Sequence, residues 1–272
     1  MSFWLDVYRA NLKMAVAQML QYRFAILIWA VWGFVGPLIS LAVWTAATAA
    51  RGGEITGTTG ATFSRADFAA YFLTLMIFGH LTMSWDAFEF AFRVRDGNLS
   101  PRLLKPLHPI HTDVAFNIAF KLCTSAMLLP VWVLLFVILK PTPPASLASL
   151  ALALPALALA FLLRYLLQYS LAVLAFWTTR VEAVNQLYFT LDSFLGGRIA
   201  PLALMPGWLG VIAAYSPFRA LAAFPVELAL GRVPAGQILP GFALQIVWLA
   251  VAVVVFRALW SAGIKQYSAV GA

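Results

Sequence analysis

The chain has 272 residues, of which 63% are hydrophobic and only 10% are charged, and its formal net charge is +8. Six stretches of 18 or more residues contain no charged side chain, at 24–50, 68–85, 122–139, 141–163, 199–218 and 233–256. A helix needs about 20 apolar residues to cross a bilayer core of roughly 30 Å. The composition therefore excludes a water-soluble protein and predicts an all-α integral membrane protein.

The basic residues flank these apolar stretches, which indicates contact with anionic membrane lipids and no role in nucleic-acid binding. Nearly all of the length is used for spanning, so we expect one transmembrane domain over 1–272. The single cysteine, Cys123, lies inside an apolar stretch and predicts neither a disulfide nor a cysteine metal site.

Residues 1–23 are predicted to form an amphipathic helix on the membrane surface. Apolar residues recur at helical spacing, and charged residues mark the other face. The apolar positions are Leu5, Tyr8, Leu12, Val16 and Met19, and the charged ones are Asp6, Arg9 and Lys13. The alternative is an ordinary polar extension.

Six transmembrane helices are predicted, at about 24–50, 66–92, 114–140, 147–178, 183–197 and 236–260. The stretch after the fifth contains Pro201, Pro206, Gly207, Gly210 and Pro217, residues that break or bend helices. We therefore interpret 198–232 as a re-entrant helical hairpin on the external side. A seventh full span is the alternative, and it would place the two termini on opposite sides of the membrane.

Positive charge predicts the orientation, because cytoplasmic loops are enriched in Lys and Arg. With six spans, eleven basic residues lie on the side that holds both termini and six lie on the other side. Both termini are therefore predicted to be cytoplasmic.

The predicted cytoplasmic loop at 93–113 is the most informative segment. Ser100 followed by Pro101 is a helix-start signal, and Pro106 ends the short helix soon afterwards. Leu103, Leu104 and Leu107 would be exposed beside Arg102 and Lys105 unless something covers them. Such an apolar surface predicts docking of a partner, and the alternative is a loop packed under the protein's own helices.

This loop resembles that of the permease subunits of type-two ABC exporters. The matching residues are Gly97, Leu99, Leu103, Leu104, Pro106 and Leu107. Further matches lie at Gln21-Tyr22-Arg23, at 196–201 with Pro206, Pro217, Phe218, Arg219, Pro225 and Gly231, and at 263–271, where Gln266 departs from the family's usual Arg. The resemblance thus extends along the whole chain.

The resemblance implies six spans, an N-terminal interfacial helix, an ATPase-coupling helix in the 97–107 loop and an external hairpin. It also implies assembly with two ABC ATPase subunits and a second permease chain, identical or homologous, in a prokaryotic plasma membrane. No G-x-x-x-x-G-K-[ST] phosphate loop occurs in the chain. ATP and Mg²⁺ are therefore expected on the partner ATPase, and no cofactor on this chain.

Asp86, Glu89 and Arg93 lie on one face at the cytoplasmic end of the second span, and Glu89 to Arg93 has the favourable i,i+4 spacing. Their arrangement predicts either a self-neutralised helix end or a gating latch that exchanges partners.

Arg164 is the only basic residue predicted near mid-bilayer, with Gln168 one helical turn away. A central arginine is costly and should have a partner, and Asp192 is the nearest candidate by depth. The alternatives are a structural ion pair and a polar spot on the substrate path, for instance one that meets an anionic head group.

His108, His111 and Asp113 offer only a weak metal-ligand pattern within one proline-containing turn, and a solvated loop is the favoured interpretation. No nucleophile and base pair is apparent, so no catalytic residue is predicted. Export of a hydrophobic or amphipathic substrate is the leading hypothesis. An ion-coupled secondary transporter and an intramembrane enzyme are the alternatives.

Overall fold

The computed structural model describes residues 2–21, 23–178 and 181–267. The N-terminal half contains α1 (Ser2–Gln21), α2 (Arg23–Ala50), β1 (Glu54–Thr56), β2 (Thr62–Ser64), α3 (Arg65–Thr82), α4 (Asp86–Arg95), α5 (Ser100–Leu103) and α6 (Pro109–Leu139). The C-terminal half contains α7 (Leu147–Val173), α8 (Val181–Leu195), α9 (Gly207–Tyr215), α10 (Pro217–Leu221), α11 (Ala223–Ala229) and α12 (Ala235–Gly263). Single 3-10 turns follow α7 at Leu174–Phe176 and precede α9 at Leu202–Leu204.

Five stretches of the described chain are long and apolar enough to cross a membrane: Gly33–Ala50, Arg65–Arg95, Pro109–Leu139, Leu147–Phe176 and Ala235–Gly263. The prediction of a helical, multi-pass membrane protein is therefore confirmed. The fifth predicted span corresponds to α8, which has only 15 residues and is not among the five. The count of six spans and the re-entrant hairpin remain predictions.

The helices run between two ends of the molecule. At the hairpin end, β1 and β2 pair antiparallel, and Ser64 caps α3 in a reciprocal capping box with Asp67. Aromatic side chains of α2, β2 and α3 stack there, with Trp44 and Phe63 each 5.3 Å from Phe68 between ring centroids.

The loop end holds the 97–107 loop and a second aromatic cluster. Phe90 of α4 packs against Tyr169 of α7, Phe176 and Trp260 of α12, with ring centroids 5.5, 5.6 and 6.0 Å away. This cluster joins α4, α7 and α12, and Leu99 and Leu103 of the loop pack against it.

The predicted apolar face of α1 is largely the packed one. Met19 is buried and Tyr8, Leu12 and Val16 are half-buried, while Leu5 is 66% exposed. The small hairpin of β1 and β2 is added to an all-α membrane protein. One local prediction needs correction: the hydroxyl of Ser100 does not cap α5, whose N-cap is Leu99.

The predicted hairpin at 198–232 contains three short helices, α9, α10 and α11. α11 packs against α3 and α7, and its residues are almost all buried. By contrast, Trp208, Val211, Ile212 and Tyr215 of α9 are exposed large side chains. This segment therefore has one packed part and one apolar part that the other described residues leave uncovered.

Candidate functional site

The 97–107 loop presents one leucine outward and holds the others against the bundle. Leu104 is 87% exposed, whereas Leu99 is completely buried. Leu103 packs at the edge of the cluster formed by Phe90 and Tyr169, so Leu104 is the one largely exposed side chain among the three leucines predicted to be exposed. Gly97 has a φ of 72°, a conformation that glycine adopts readily and that turns the chain from α4 into α5.

Two side-chain contacts fix α5 in place. The hydroxyls of Ser100 and Tyr267 share a hydrogen bond of 2.8 Å, which joins α5 to the segment after α12. Arg102 donates a hydrogen bond of 2.6 Å from Nη1 to Oδ1 of Asp113 in α6. Pro106 and Lys105 are exposed, and Leu107 is half-buried. These two contacts tether the loop to the bundle, and the exposed Leu104 lies between Arg102 and Lys105 in the sequence.

Asp113 is the centre of a buried charge cluster at the loop end. Its carboxylate is 3% exposed and accepts from Arg102 and from Nη1 of Arg93, which is 2.8 Å away. Tyr169 donates to the other carboxylate oxygen over 3.0 Å. One carboxylate thus joins α4, α5, α6 and α7, and it balances part of the positive charge that the loop brings to the bundle.

Asp86, Glu89 and Arg93 do not form a single cluster. Arg93 contacts Glu89 over 3.4 Å, but Glu89 is 54% exposed and the shorter contact of Arg93 is with Asp113. Asp86 is buried and accepts from Ser84 over 2.8 Å and from Asn117 over 3.2 Å. The predicted face is therefore divided between two networks.

Lys121 completes the Asp86 network from α6. Its ammonium group donates to the side-chain oxygen of Asn117, and it lies 4.1 Å from the centroid of the Phe161 ring. The side chain is only 6% exposed. An amide thus separates a buried carboxylate from a buried ammonium group.

Arg164 and Asp192 form a buried ion pair between α7 and α8. Nη1 of Arg164 lies 2.8 Å from Oδ2 of Asp192, and the side chains are 3% and 2% exposed. Nε of Arg198 donates to the same Oδ2 over 2.6 Å. Arg198 follows Gly197, which has a φ of 76° and whose carbonyl accepts from Tyr71 over 2.8 Å.

Several polar atoms near this pair have no partner within the described residues. They are Nε of Arg164, Oε1 of Gln168, the hydroxyl of Tyr188 and both amide atoms of Asn185. Arg164 and Gln168 are one turn apart on α7, and Tyr188 and Asp192 are one turn apart on α8. Each helix therefore has a polar face, and the Arg164–Asp192 pair joins these two faces.

His108 and His111 contact other side chains rather than solvent alone. The ring of His108 lies 4.2 Å from that of Trp260 between centroids, and Nδ1 of His111 shares a 2.8 Å hydrogen bond with Tyr8. Burial lowers the pKa of His108, and His111 lowers it further while Asp113 opposes the change. Across residues 2–21, 23–178 and 181–267, no three metal-ligating side chains are grouped together.

Sequence reasoning missed Asp113, Lys121 and Arg198 as members of these clusters. A signal existed for Arg198, because a basic residue follows Asp192 by six positions directly after two glycines. Tyr22 and residues 268–271 of the resemblance motifs lie outside the described residues.

Comparison with known families gives one match. Residues 54–271 match the family described as ABC-2 family transporter protein. No curated protein matches the chain.

Proposed function

The chain belongs to the ABC-2 transporter family, and on that premise we propose that it is the membrane subunit of an ATP-driven exporter. A separate ABC ATPase would bind and hydrolyse ATP with Mg²⁺, and this chain would carry out no catalysis. The substrate would be hydrophobic or amphipathic, moved out of the cytoplasm across a prokaryotic plasma membrane by alternating access.

One observation supports the proposal most directly. Leu104 is 87% exposed at the C-terminal end of α5, a short helix that is held by the Arg102–Asp113 and Ser100–Tyr267 contacts. An exposed leucine on an anchored element is suited to a pocket on a partner, because little conformational entropy is lost when it binds. We propose that the ATPase binds here, around Leu104, with Arg102 and Lys105 at the rim.

The test is copurification of the ATPase with a Leu104→Asp variant. We expect at least about a ten-fold loss of bound ATPase, because an apolar contact is replaced by a charge. Leu147→Asp is the matched control, since Leu147 is 85% exposed but lies at the start of α7, at the hairpin end. Retention of the ATPase by the Leu104 variant, or its loss from the Leu147 variant, would contradict the docking site.

We propose six spans, with α8 as the fifth. The start of α8 lies at the loop end, where Glu182 is 3.5 Å from Arg95. The segment after α11 lies at the hairpin end, where Arg232 is 2.7 Å from Asp67. The chain therefore passes between the two ends within 182–232, and α8 with α9 to α11 supplies the passage. Both termini would be cytoplasmic and 198–232 external or half-inserted.

We propose that the working unit contains two permease chains, identical or homologous. A single chain offers one 97–107 loop, whereas two ATPase subunits require two docking sites. The mass of the complex that copurifies with the unmodified chain gives the number of permease chains.

Arg164, Gln168 and Asp192 are proposed to lie beside the substrate path.

A further inference from the structure

Arg164, Arg198 and Asp192 form a cluster with two positive charges and one negative charge. Arg164 and Arg198 both contact Oδ2 of Asp192, at 2.8 and 2.6 Å. Within the described part of the chain, no other carboxylate forms an ion pair with either arginine. The cluster therefore carries a net charge of +1, and two of its three side chains are buried.

The cluster lies deep in the membrane-spanning region. Gly79 lies close to the midpoint of the 31-residue stretch Arg65–Arg95, and a Cβ atom built there would be 3.4 Å from Nη1 of Arg198. Arg164 lies near the middle of the 30-residue stretch Leu147–Phe176. A charged side chain at the bilayer centre costs at least about 2.5–3.5 kcal/mol, so this excess charge needs a compensating group.

Arg198 is the part of the cluster that another molecule can reach. Its side chain is 28% exposed, compared with 3% for Arg164. Nε is used by Asp192, while neither Nη atom has a hydrogen bond to any residue in the described ranges. The planar fork of a guanidinium suits the two oxygens of a phosphate, sulfate or carboxylate.

The surroundings of Arg198 leave space on one side. Gly79 has no other atom within 4 Å of its built Cβ position, so the α3 side of the guanidinium is lined by a residue without a side chain. The backbone around Arg198 is held by α2, where Trp44 donates to the carbonyl of Ile199 over 2.8 Å. The backbone at Arg198 is thus held in place, while its guanidinium group remains accessible.

We propose that Arg198, beside Gly79, binds the oxyanion of an amphipathic substrate on its way through the membrane. This deepens the proposed function and rests on it. The ligand class is an anionic amphiphile whose phosphate, sulfate or carboxylate supplies the missing negative charge and whose apolar part lies between the helices.

The experiment measures saturable binding of radiolabelled tetradecyl phosphate to the full chain in phosphatidylcholine nanodiscs, above uptake by empty nanodiscs. We expect unlabelled tetradecyl phosphate to compete and uncharged tetradecyl maltoside to compete at least ten-fold less. Arg198→Gln should weaken binding by roughly ten-fold or more, as loss of a charge-assisted contact predicts. Gly79→Leu should weaken it similarly, by filling the open side while it leaves every charge in place.

Arg232→Gln is the matched control. Arg232 is 26% exposed and lies within the same hairpin segment, but it is paired with its own carboxylate, Asp67. Arg198→Gln should still fold, because the Arg164–Asp192 pair remains balanced. Equal competition by the phosphate and the maltoside, full binding by Arg198→Gln, or equal losses in the two arginine variants would overturn the proposal.

Two further measurements separate this inference from the proposed function. ATPase copurification depends on Leu104 and should be unchanged in Arg198→Gln, so failure of docking and failure of anion binding are distinguishable. With the ATPase present, ATP-dependent movement of tetradecyl phosphate in vesicles would support the assignment to a substrate. Displacement of the probe by phosphatidylglycerol without such movement would assign the site to a retained lipid and overturn it.

Discussion

Asp192 accepts hydrogen bonds from two arginines at a buried position, so its charge should matter more to stability than that of either arginine. Asp192→Asn leaves Arg164 and Arg198 without a counter-charge, whereas Arg164→Gln leaves Asp192 paired with Arg198. Removing one partner of a buried pair costs about 3–5 kcal/mol when a charge is left uncompensated.

We therefore expect Asp192→Asn to lower the thermal unfolding midpoint of the detergent-solubilised chain more than Arg164→Gln does. Glu227→Gln is the control, because the Glu227–Arg219 pair is more exposed, at 16% and 22%. A larger loss in Arg164→Gln would mean that Arg164, rather than Asp192, organises this cluster.

For single residues, the sequence indicated how deep a side chain lies in the membrane but not which neighbouring helix it faces. It could match Arg164 with Asp192, because both lie at similar depths of neighbouring helices. It did not predict the contacts of Arg198 and Asp113, because these contacts depend on how the helices rotate against one another. Hydrophobic spacing carries little of that information when a helix is apolar on every side.

Among the elements, α5 depends on Asp113 for its position. Arg102 is the only side chain of the helix that contacts this carboxylate, which also joins α4 through Arg93 and α7 through Tyr169. Asp113→Asn keeps the size of the side chain but removes its charge, so the contact with Arg102 should weaken while the rest of α6 is unaffected.

Hydrogen–deuterium exchange of the full chain tests this dependence. We expect the amide hydrogens of Leu99, Ser100, Arg102 and Leu103 to exchange roughly ten-fold faster in Asp113→Asn, which corresponds to about 1.4 kcal/mol of lost protection. Glu89→Gln is the control, because Glu89 contacts Arg93 but no residue of α5. Unchanged exchange in the Asp113 variant would show that the Ser100–Tyr267 contact and the packing of Leu99 and Leu103 suffice to hold the helix.

The sequence predicted that a short helix would lie between Gly97 and Pro106, since the turn residues that bound it are local signals. It did not predict how the helix is anchored. Tyr267 lies 167 positions from Ser100, and no local pattern indicates that two such distant hydroxyls meet.

For the whole molecule, the topology can be tested by cysteine labelling after replacement of Cys123. Thr59 between β1 and β2, Lys105 in the 97–107 loop and Ala235 at the start of α12 are exposed positions. Six spans predict that Thr59 and Ala235 are labelled from outside and Lys105 from inside, because α8 and α9 to α11 return the chain to the hairpin end.

Labelling of Ala235 from the same side as Lys105 would contradict the six-span arrangement. Gly231 is unsuitable for the same test, because its φ of 65° and a built Cβ position 2.3 Å from the Cβ of Ala145 would strain any substituted residue. The five long apolar stretches were predictable from the runs of uncharged residues in the sequence, whereas the fifth predicted span depends on a helix of 15 residues and on its packing.

The break between α3 and α4 has a consequence for how movement travels through the molecule. Residues 83–85 leave the helix, and Met83 adopts a φ of −56° and a ψ of 142°. A continuous helix acts as a stiff rod, but one interrupted in this way bends at little cost. Beyond the break, α4 carries Arg93, which shares Asp113 with Arg102 of α5. Before the break, α3 is held at the hairpin end by the hydrogen bond from Tyr71 to the carbonyl of Gly197. A displacement of the 97–107 loop would thus be passed to α4 and to its partners on Asp113, and the break would allow α3 to keep its position at the hairpin end.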